Sequence, residues 1–303
     1  MKKVKQILGR YVDINTDFGW KFYFGREENK GLLIQFLNDI FQGEKVIQDL
    51  IYVTPEQDGD YEEDRRVIFD LHCIADDGEH FIIEMQQIYQ DFFKDRALFY
   101  TSRLISKQIQ KGRLGDKYKL PEIYFIGILE FSLQDTDTEQ YFIDVGLMDK
   151  VNKKMFYTKL GFKFIVLPHF NKKENELCND MEQWLYLLKN LSTMKGISKY
   201  LDRRVFGRIF DVGEVAKLKR EDQMSYEASL KRKWDWESVL STTERIGKEE
   251  GRKEGRKEGR EEFQTEIIES LIVESRLSDE DIARITKVSL TFVQQVREKL
   301  KTR

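Results

Sequence analysis

The 303-residue sequence is poor in cysteine, histidine and proline, with two, three and three of them. Cys73 and Cys178 cannot build a disulfide scaffold, and with His72, His80 and His169 they do not make a Cys/His zinc module. Free thiols suit a reducing compartment, so the expected location is the cytoplasm. No apolar run approaches the roughly 18 residues that a membrane helix needs. The best, 125–129, is five residues long and interrupted by Gly127. Lys2, Lys3 and Lys5 open the chain with no apolar segment behind them, unlike a secretory leader. An excess of one charge is missing too: 51 Lys and Arg stand against 54 Asp and Glu, a net charge of −3. Any polyanionic partner must therefore be held by a local patch and not by a whole-molecule field. What is abundant is charge of both signs, 35% of residues, beside a 40% apolar fraction sufficient for a core.

Three regions follow from the patterning. Over 1–170 it is mixed. Helical spacing covers Asp17 to Phe24 and 28–41, the latter with an apolar stripe of Leu32, Leu33, Phe36, Leu37, Ile40 and Phe41. Strands are expected at 46–53, 66–75, 80–87, 123–131, 141–147 and 163–168, with a helix over 92–111 stopped by Gly112. This order predicts an α/β core. Residues 171–245 read as a helical subdomain, with stripes at Met181, Trp184, Leu185, Leu187 and Leu188 and at Val205, Ile209, Val212 and Val215.

The third region, 246–303, opens with Gly247, Gly251, Gly255 and Gly259, four residues apart among six basic and six acidic side chains. Glycine costs about 1 kcal/mol against alanine in a helix, yet this spacing lines the glycines along one slowly drifting stripe. The segment is either a solvated linker helix or a self-association seam. Beyond it, Ser278 with Asp281 makes a capping box and Ser289 caps a second short helix. Ala283, Val288, Ser289 and Val293 keep helix-turn-helix spacing, with Lys287 at the turn position usually given to Gly. A DNA-reading element and a packing hairpin both fit.

The chemistry concentrates in a hairpin. A three-residue loop Asp76-Asp77-Gly78 puts Gly where the chain needs positive φ and sets Asp70 opposite Glu84. Period-two alternation puts Phe69, Leu71, Cys73, Phe81, Ile83 and Met85 on one face. Ile68, Asp70, His72, His80, Ile82, Glu84 and Gln86 take the other. Two carboxylates then lie about 5 Å apart, an arrangement that destabilises a hairpin unless a cation joins them. Hard oxygen ligands suit Mg2+ or Mn2+, and the Met85 carbonyl is a further candidate ligand. A two-residue loop would put the carboxylates on opposite faces, and a half-exposed polar face is the other reading of the same residues. His72 reads as a satisfied strand residue and not as a ligand.

Asp70, followed fourteen residues later by Glu84-Met85-Gln86, resembles the D…(D/E)-x-K active site of the PD-(D/E)XK nuclease fold. Asp17-Phe-Gly-Trp-Lys21-Phe and Phe93…Arg96…Tyr100…Gln108 look like the flanking helices of that family. In motif detail over 13–130 the sequence resembles the Rpn-type recombination-promoting nucleases, often labelled transposases, and its glycine repeat and helical end resemble their tail. The resemblance implies a restriction-endonuclease-like α/β core, a mixed sheet flanked by helices with a helical C-terminal region. It also implies a Mg2+-dependent endonuclease acting on double-stranded DNA in recombination or mobile-element biology. Asp70 and Glu84 would hold the metal, Gln86 would position the attacking water, and Asp17 would be a further acidic member. The alternative for Asp17 is an i,i+4 pair with Lys21. Phe69 stands where the superfamily has Pro, and Gln86 where it usually has Lys. A carboxamide can hydrogen-bond but carries no charge, so slow chemistry is expected, with Lys21 or Arg96 as candidates for the missing cation.

Arg96 and Tyr100, four apart on one helix face, are candidate phosphate contacts, or merely cap the sheet. Residues 150–173 carry seven lysines and no acid, interleaved with aromatics. Lys153, Lys154 and Lys159 are the expected DNA-binding residues of this patch, unless the lysines only guard a hairpin edge. Arg203, Arg204 and Arg208 extend the basic surface, whereas Glu56, Asp58, Asp60, Glu62, Glu63 and Asp64 form an acidic loop that DNA would avoid. Two other functions stay open: a DNA-binding protein that cuts poorly or not at all, and a homo-oligomeric scaffold assembled through the C-terminal helices.

Overall fold

The structure, a computed structural model, describes residues 9–53, 56–57, 67–68, 70–89, 91–108, 119–133 and 139–301. Lys2, Lys3 and Lys5, the acidic residues between Asp58 and Asp64, Phe69 and Gly112 lie outside the described residues.

Helix α1 (Asp17–Phe24) starts where the Thr16 hydroxyl accepts the Gly19 N–H at 2.9 Å, a side-chain cap on an otherwise unpaired donor. Helix α2 (Lys30–Phe41) buries the six apolar side chains expected of it and ends at Gln42 in the left-handed region. The strands are β1 (Leu50–Val53), β2 (Glu56–Gln57), β3 (Val67–Ile68), β4 (Leu71–Ala75), β5 (His80–Gln86), β6 (Ile123–Leu129), β7 (Phe142–Asp149) and β8 (Lys154–Val166). Six form one sheet in the order β1-β4-β5-β6-β8-β7, while β2 and β3 pair separately. The central pairs β5–β6 and β6–β8 are parallel and the outer pairs antiparallel.

Helix α3 (Phe93–Gln108) lies between β5 and β6 in the chain. It packs Phe93, Ala97 and Leu104 on Ile82, Phe125 and Phe164 on one face of the sheet. Gly127 on β6 makes room for it: a Cβ there would meet the Phe164 ring at 3.1 Å and the Phe93 ring at 3.2 Å. The opposite face receives α2, whose Phe41 ring lies 5.6 Å from Phe81 and 5.0 Å from Tyr124. With both faces covered, β6 is buried along its whole length, as expected for a central parallel strand. This is the mixed sheet flanked by helices that the sequence resemblance implies.

Helices α4 (Asp180–Asn190) and α5 (Arg203–Val212) extend the α2 side, with Trp184 at 5.4 Å from Phe36 and 5.0 Å from Phe206. The first compact unit ends at Lys231, within α6 (Arg220–Glu274). The opening turns of α6 are tied to α1 and the residues flanking it. The Asp13 N–H donates to Tyr226 Oη, the Phe18 N–H to Ser229 Oγ, and Arg26 grips Asp222 in a bidentate pair. From Arg232 a second unit comprises the rest of α6, α7 (Asp279–Thr286) and α8 (Leu290–Lys301). Its core is Ile268, Ile282, Val293 and Val296. Ser278 and Ser289 accept the backbone N–H groups expected of caps, and Lys287 is left-handed, with φ of 56°. The glycine repeat is helical, with open space beside all four glycines. Among the described residues no helix is long and apolar enough to cross a membrane.

Candidate active site

Residues Asp76, Asp77 and Gly78 form the loop between β4 and β5, closed by the Ala75 N–H donating to the Glu79 carbonyl at 2.9 Å. Gly78 takes φ of 82°, so the three-residue loop holds and the two-residue alternative does not. Pairs Leu71–Ile83, His72–Ile82 and Cys73–Phe81 follow. One step beyond the first of these, Asp70 meets Glu84.

The expected strand 66–75 is shorter than its sequence suggests: β4 begins at Leu71, and Asp70 sits at a bend. The reason is local. Where a longer β4 would offer a backbone acceptor, Asp70 Oδ2 takes the Met85 N–H at 2.8 Å, a side chain competing with the ladder. Glu84 Oε1 accepts the Asp70 N–H in return, at 3.2 Å. The face bearing Glu84 is closed in its middle, while Asp70 and Gln86 at its end stay half-buried. Glu84 is 3% exposed, and His72 and His80 are buried with their rings stacked and Nε2 to Nδ1 at 3.1 Å. His72 is thus a buried strand residue whose Nε2 pairs with His80.

Gln86, on the same face as Glu84, donates its Nε2 to Glu84 Oε2 at 2.9 Å. Arg96 comes down from α3 to 4.0 Å from the same carboxylate, its guanidinium lying over the Tyr100 ring at 5.7 Å. Burial, then the Asp70 charge, push the Glu84 carboxyl up, against the pull of Arg96. Burial also raises Asp70, opposed by the Met85 N–H and by Lys21, while Asp17 adds to the rise. Two acids in this interior resist ionising together. Burial and then Glu84 raise Tyr100 as well.

A cleft of about 200 Å3 opens here, lined by Asp17, Trp20, Asp70, Met85, Gln86, Gln87 and Ile88. Asp17 is therefore brought to the site, and Lys21 is held beside it by the i,i+4 pair, at 2.8 Å with both side chains 55% exposed. Trp20, Gln87 and Ile88 were not legible as site residues. The signal for Gln87 is its bond to the Asn15 carbonyl, which fastens the end of β5 to the segment before α1.

The donor set fits a hard divalent cation. Asp70 Oδ1 makes no hydrogen bond among the described residues. In a strand the N–H and C=O of one residue point the same way, so the Met85 carbonyl faces Asp70 as its N–H does. A cation would also offset the Asp70 charge that, after burial, raises the Glu84 carboxyl. Among the described residues no group of three or more His, Cys, Asp and Glu side chains stands ready for a metal, so backbone oxygen and water would complete the shell.

Lys153, Lys154 and Lys159 are not brought to the cleft. Phe164 is level with Gly127, and Gly127 with Glu84. Lys159 and Lys154 precede Phe164 by five and ten residues, about 17 and 33 Å along the strand at ~3.3 Å per residue. Lys159 donates to the Leu120 carbonyl, Lys163 to Glu44 and Asp144, and Lys172 to Glu182. Lys150, Lys153 and Lys154 are exposed at the β7–β8 turn. Arg204 is held by Asp202, and Arg208 by the Glu28 carbonyl.

A family model described as PD-(D/E)XK nuclease family transposase matches residues 14–243. That span takes in α1, the whole sheet, both carboxylates and α3, and stops short of the glycine repeat. No curated protein and no solved structure matches the chain. The matched stretch is more than half of the sequence, and the architecture agrees with it: the chain belongs to the PD-(D/E)XK nuclease family of transposases, whose function is nuclease-like.

Proposed function

We propose that the protein is a divalent-metal-dependent endonuclease of double-stranded DNA in which Asp70, Glu84 and the Met85 carbonyl hold Mg2+, with Mn2+ an alternative. The observation that carries this reading is the pairing of buried Glu84 with half-buried Asp70, which lines the cleft, each carboxylate accepting a backbone N–H from the other's side of the hairpin. When bound, the ion would stabilise charge on the phosphodiester and acidify a nearby water. The chain's own residues do the rest. Gln86 fixes Glu84 through its N–H and keeps its carbonyl oxygen to orient the attacking water. Arg96 and Lys21 bring positive charge from α3 and α1, and Tyr100 supports Arg96 and offers its hydroxyl to the DNA backbone. Asp17 holds Lys21. With a carboxamide in place of an ammonium, turnover is slow.

The test is supercoiled plasmid incubated with purified protein. Nicking is expected with Mg2+, absent with EDTA, and lost in Asp70→Ala. Nicking that survives this substitution would sink the reading. DNA binding without nicking by the wild type would favour a binding protein that has kept the fold. Recombination or mobile-element biology and the cytoplasm are the setting this activity calls for.

Homo-oligomerisation through the C-terminal helices belongs to the same proposal. Trp236, Val239, Leu240 and Ile246 are exposed at helical spacing along α6 and lead into the open glycine stripe. Removing 247–303 is expected to lower the molar mass in light scattering; an unchanged mass argues against it.

A further inference from the structure

Phe92 breaks two local rules at once. Its carbonyl accepts the first hydrogen bond of α3, from the Arg96 N–H at 2.9 Å, so it occupies the N-cap, where Ser, Thr, Asp and Asn are favoured. Its φ is 62°, in the left-handed region that bulky residues enter only at a cost. Burial does not offset that cost: the Phe92 side chain is 78% exposed, whereas Phe93 is 3% exposed and packs edge-on against Phe125, Phe131 and Phe164. Tyr89, in the same connection, rests on Phe131. Phe92 has no such partner among the described residues.

The position explains what the fold does not. One helical turn, about 5.4 Å of rise, separates Phe92 from Arg96, whose guanidinium neighbours Glu84. Strained backbone is retained where surrounding structure holds it for function, and an aromatic face beside phosphate-handling groups meets bases. We propose that Phe92 is a base-stacking wedge, its ring taking the face of a nucleobase that flanks the phosphodiester at the Asp70–Glu84 cleft. The proposal rests on the nuclease reading and deepens it: the substrate is DNA whose bases are locally unstacked beside the cut. The strained backbone fixes the ring in advance of binding. Every base offers a π face, so the contact is tolerant of sequence.

The experiment compares full-length wild type with Phe92→Ala, Phe92→Leu, Phe92→Trp and Phe92→Asn. Three quantities are read: affinity for a labelled duplex in EDTA, permanganate reactivity of thymines in the bound duplex, and plasmid nicking with Mg2+. Loss of one stacked base costs about 5- to 150-fold in affinity. Phe92→Ala and Phe92→Leu should lose that much in affinity and nicking, together with the permanganate signal, while Phe92→Trp retains all three. Phe92→Asn suits both the left-handed backbone and the cap, so it should melt higher than wild type while binding DNA as poorly as Phe92→Ala. Wild-type behaviour of Phe92→Ala, or of Phe92→Leu, in a protein that binds and nicks would overturn the wedge alone. A wild type that neither binds nor nicks DNA would overturn the nuclease reading, and the wedge with it.

Discussion

Asp70 and Glu84 are bound to each other's strands as well as facing each other: each carboxylate accepts a backbone N–H from the opposite side. Their juxtaposition was legible as one of two readings: loop length specifies register, and Asp76-Asp77-Gly78 allows a three-residue loop, which the structure adopts, beside a two-residue one. What was not legible was the burial of Glu84, since a polar face reads as solvated until α3 is known to cover it. The histidines on that face give a stability prediction. Burial, then His80, push His72 from its usual 6.5 down to about 4, and burial lowers His80. The unfolded chain takes up protons below pH 6.5 while folded His72 stays neutral until about pH 4. The contribution is therefore complete above the unfolded value and is lost as pH falls towards the folded one, about 3 kcal/mol for His72. The raised Glu84 carboxyl acts in the opposite direction over this interval, so the loss is read as the difference in urea stability between wild type and His72→Gln; parallel pH profiles would contradict the assignment.

Elements with a single periodicity matched expectation, and those serving two purposes did not. Strand β8 was expected only over 163–168, yet it runs from Lys154 to Val166. Its first half mixes lysines with aromatics, which reads as a binding patch, while β7 accepts it as a strand partner. The β4 boundary moved because Asp70 uses its side chain where backbone was expected. In the second unit, Lys287 adopts the left-handed conformation that its turn position demands. Lys287→Gly relieves that conformation and should stabilise α7 and α8 by about 1 kcal/mol. Hydrogen exchange of their amides should slow about fivefold; unchanged or faster exchange would mean that the lysine side chain contributes more than the glycine relieves.

Across the whole sheet, the parallel order β5-β6-β8 sends the two sets of expected DNA contacts to opposite ends. Arg96 and Tyr100 attend the carboxylates, whereas Lys153 and Lys154 lie some ten residues back along β8. That separation was not legible, because residues 84 and 164 become level only through a third strand. Ten residues of strand span about 33 Å, close to ten base pairs at ~3.4 Å each. Changing Lys153, Lys154 and Lys159 to Glu should weaken binding to a duplex of about 40 base pairs and flatten its salt dependence, with little effect on one of about 12. Equal losses on both lengths, or none on either, would remove the hairpin lysines from the DNA surface.

The absent side chain at Gly127 sets the clearance between the sheet and the helix that shelters Glu84. Phe93 fills that space at the head of α3, one turn before Arg96 leans towards the acid. Even an added methyl group would act as a wedge under the helix and widen the gap between guanidinium and carboxylate. The chemistry could thus be retuned from a strand that contributes no functional group of its own.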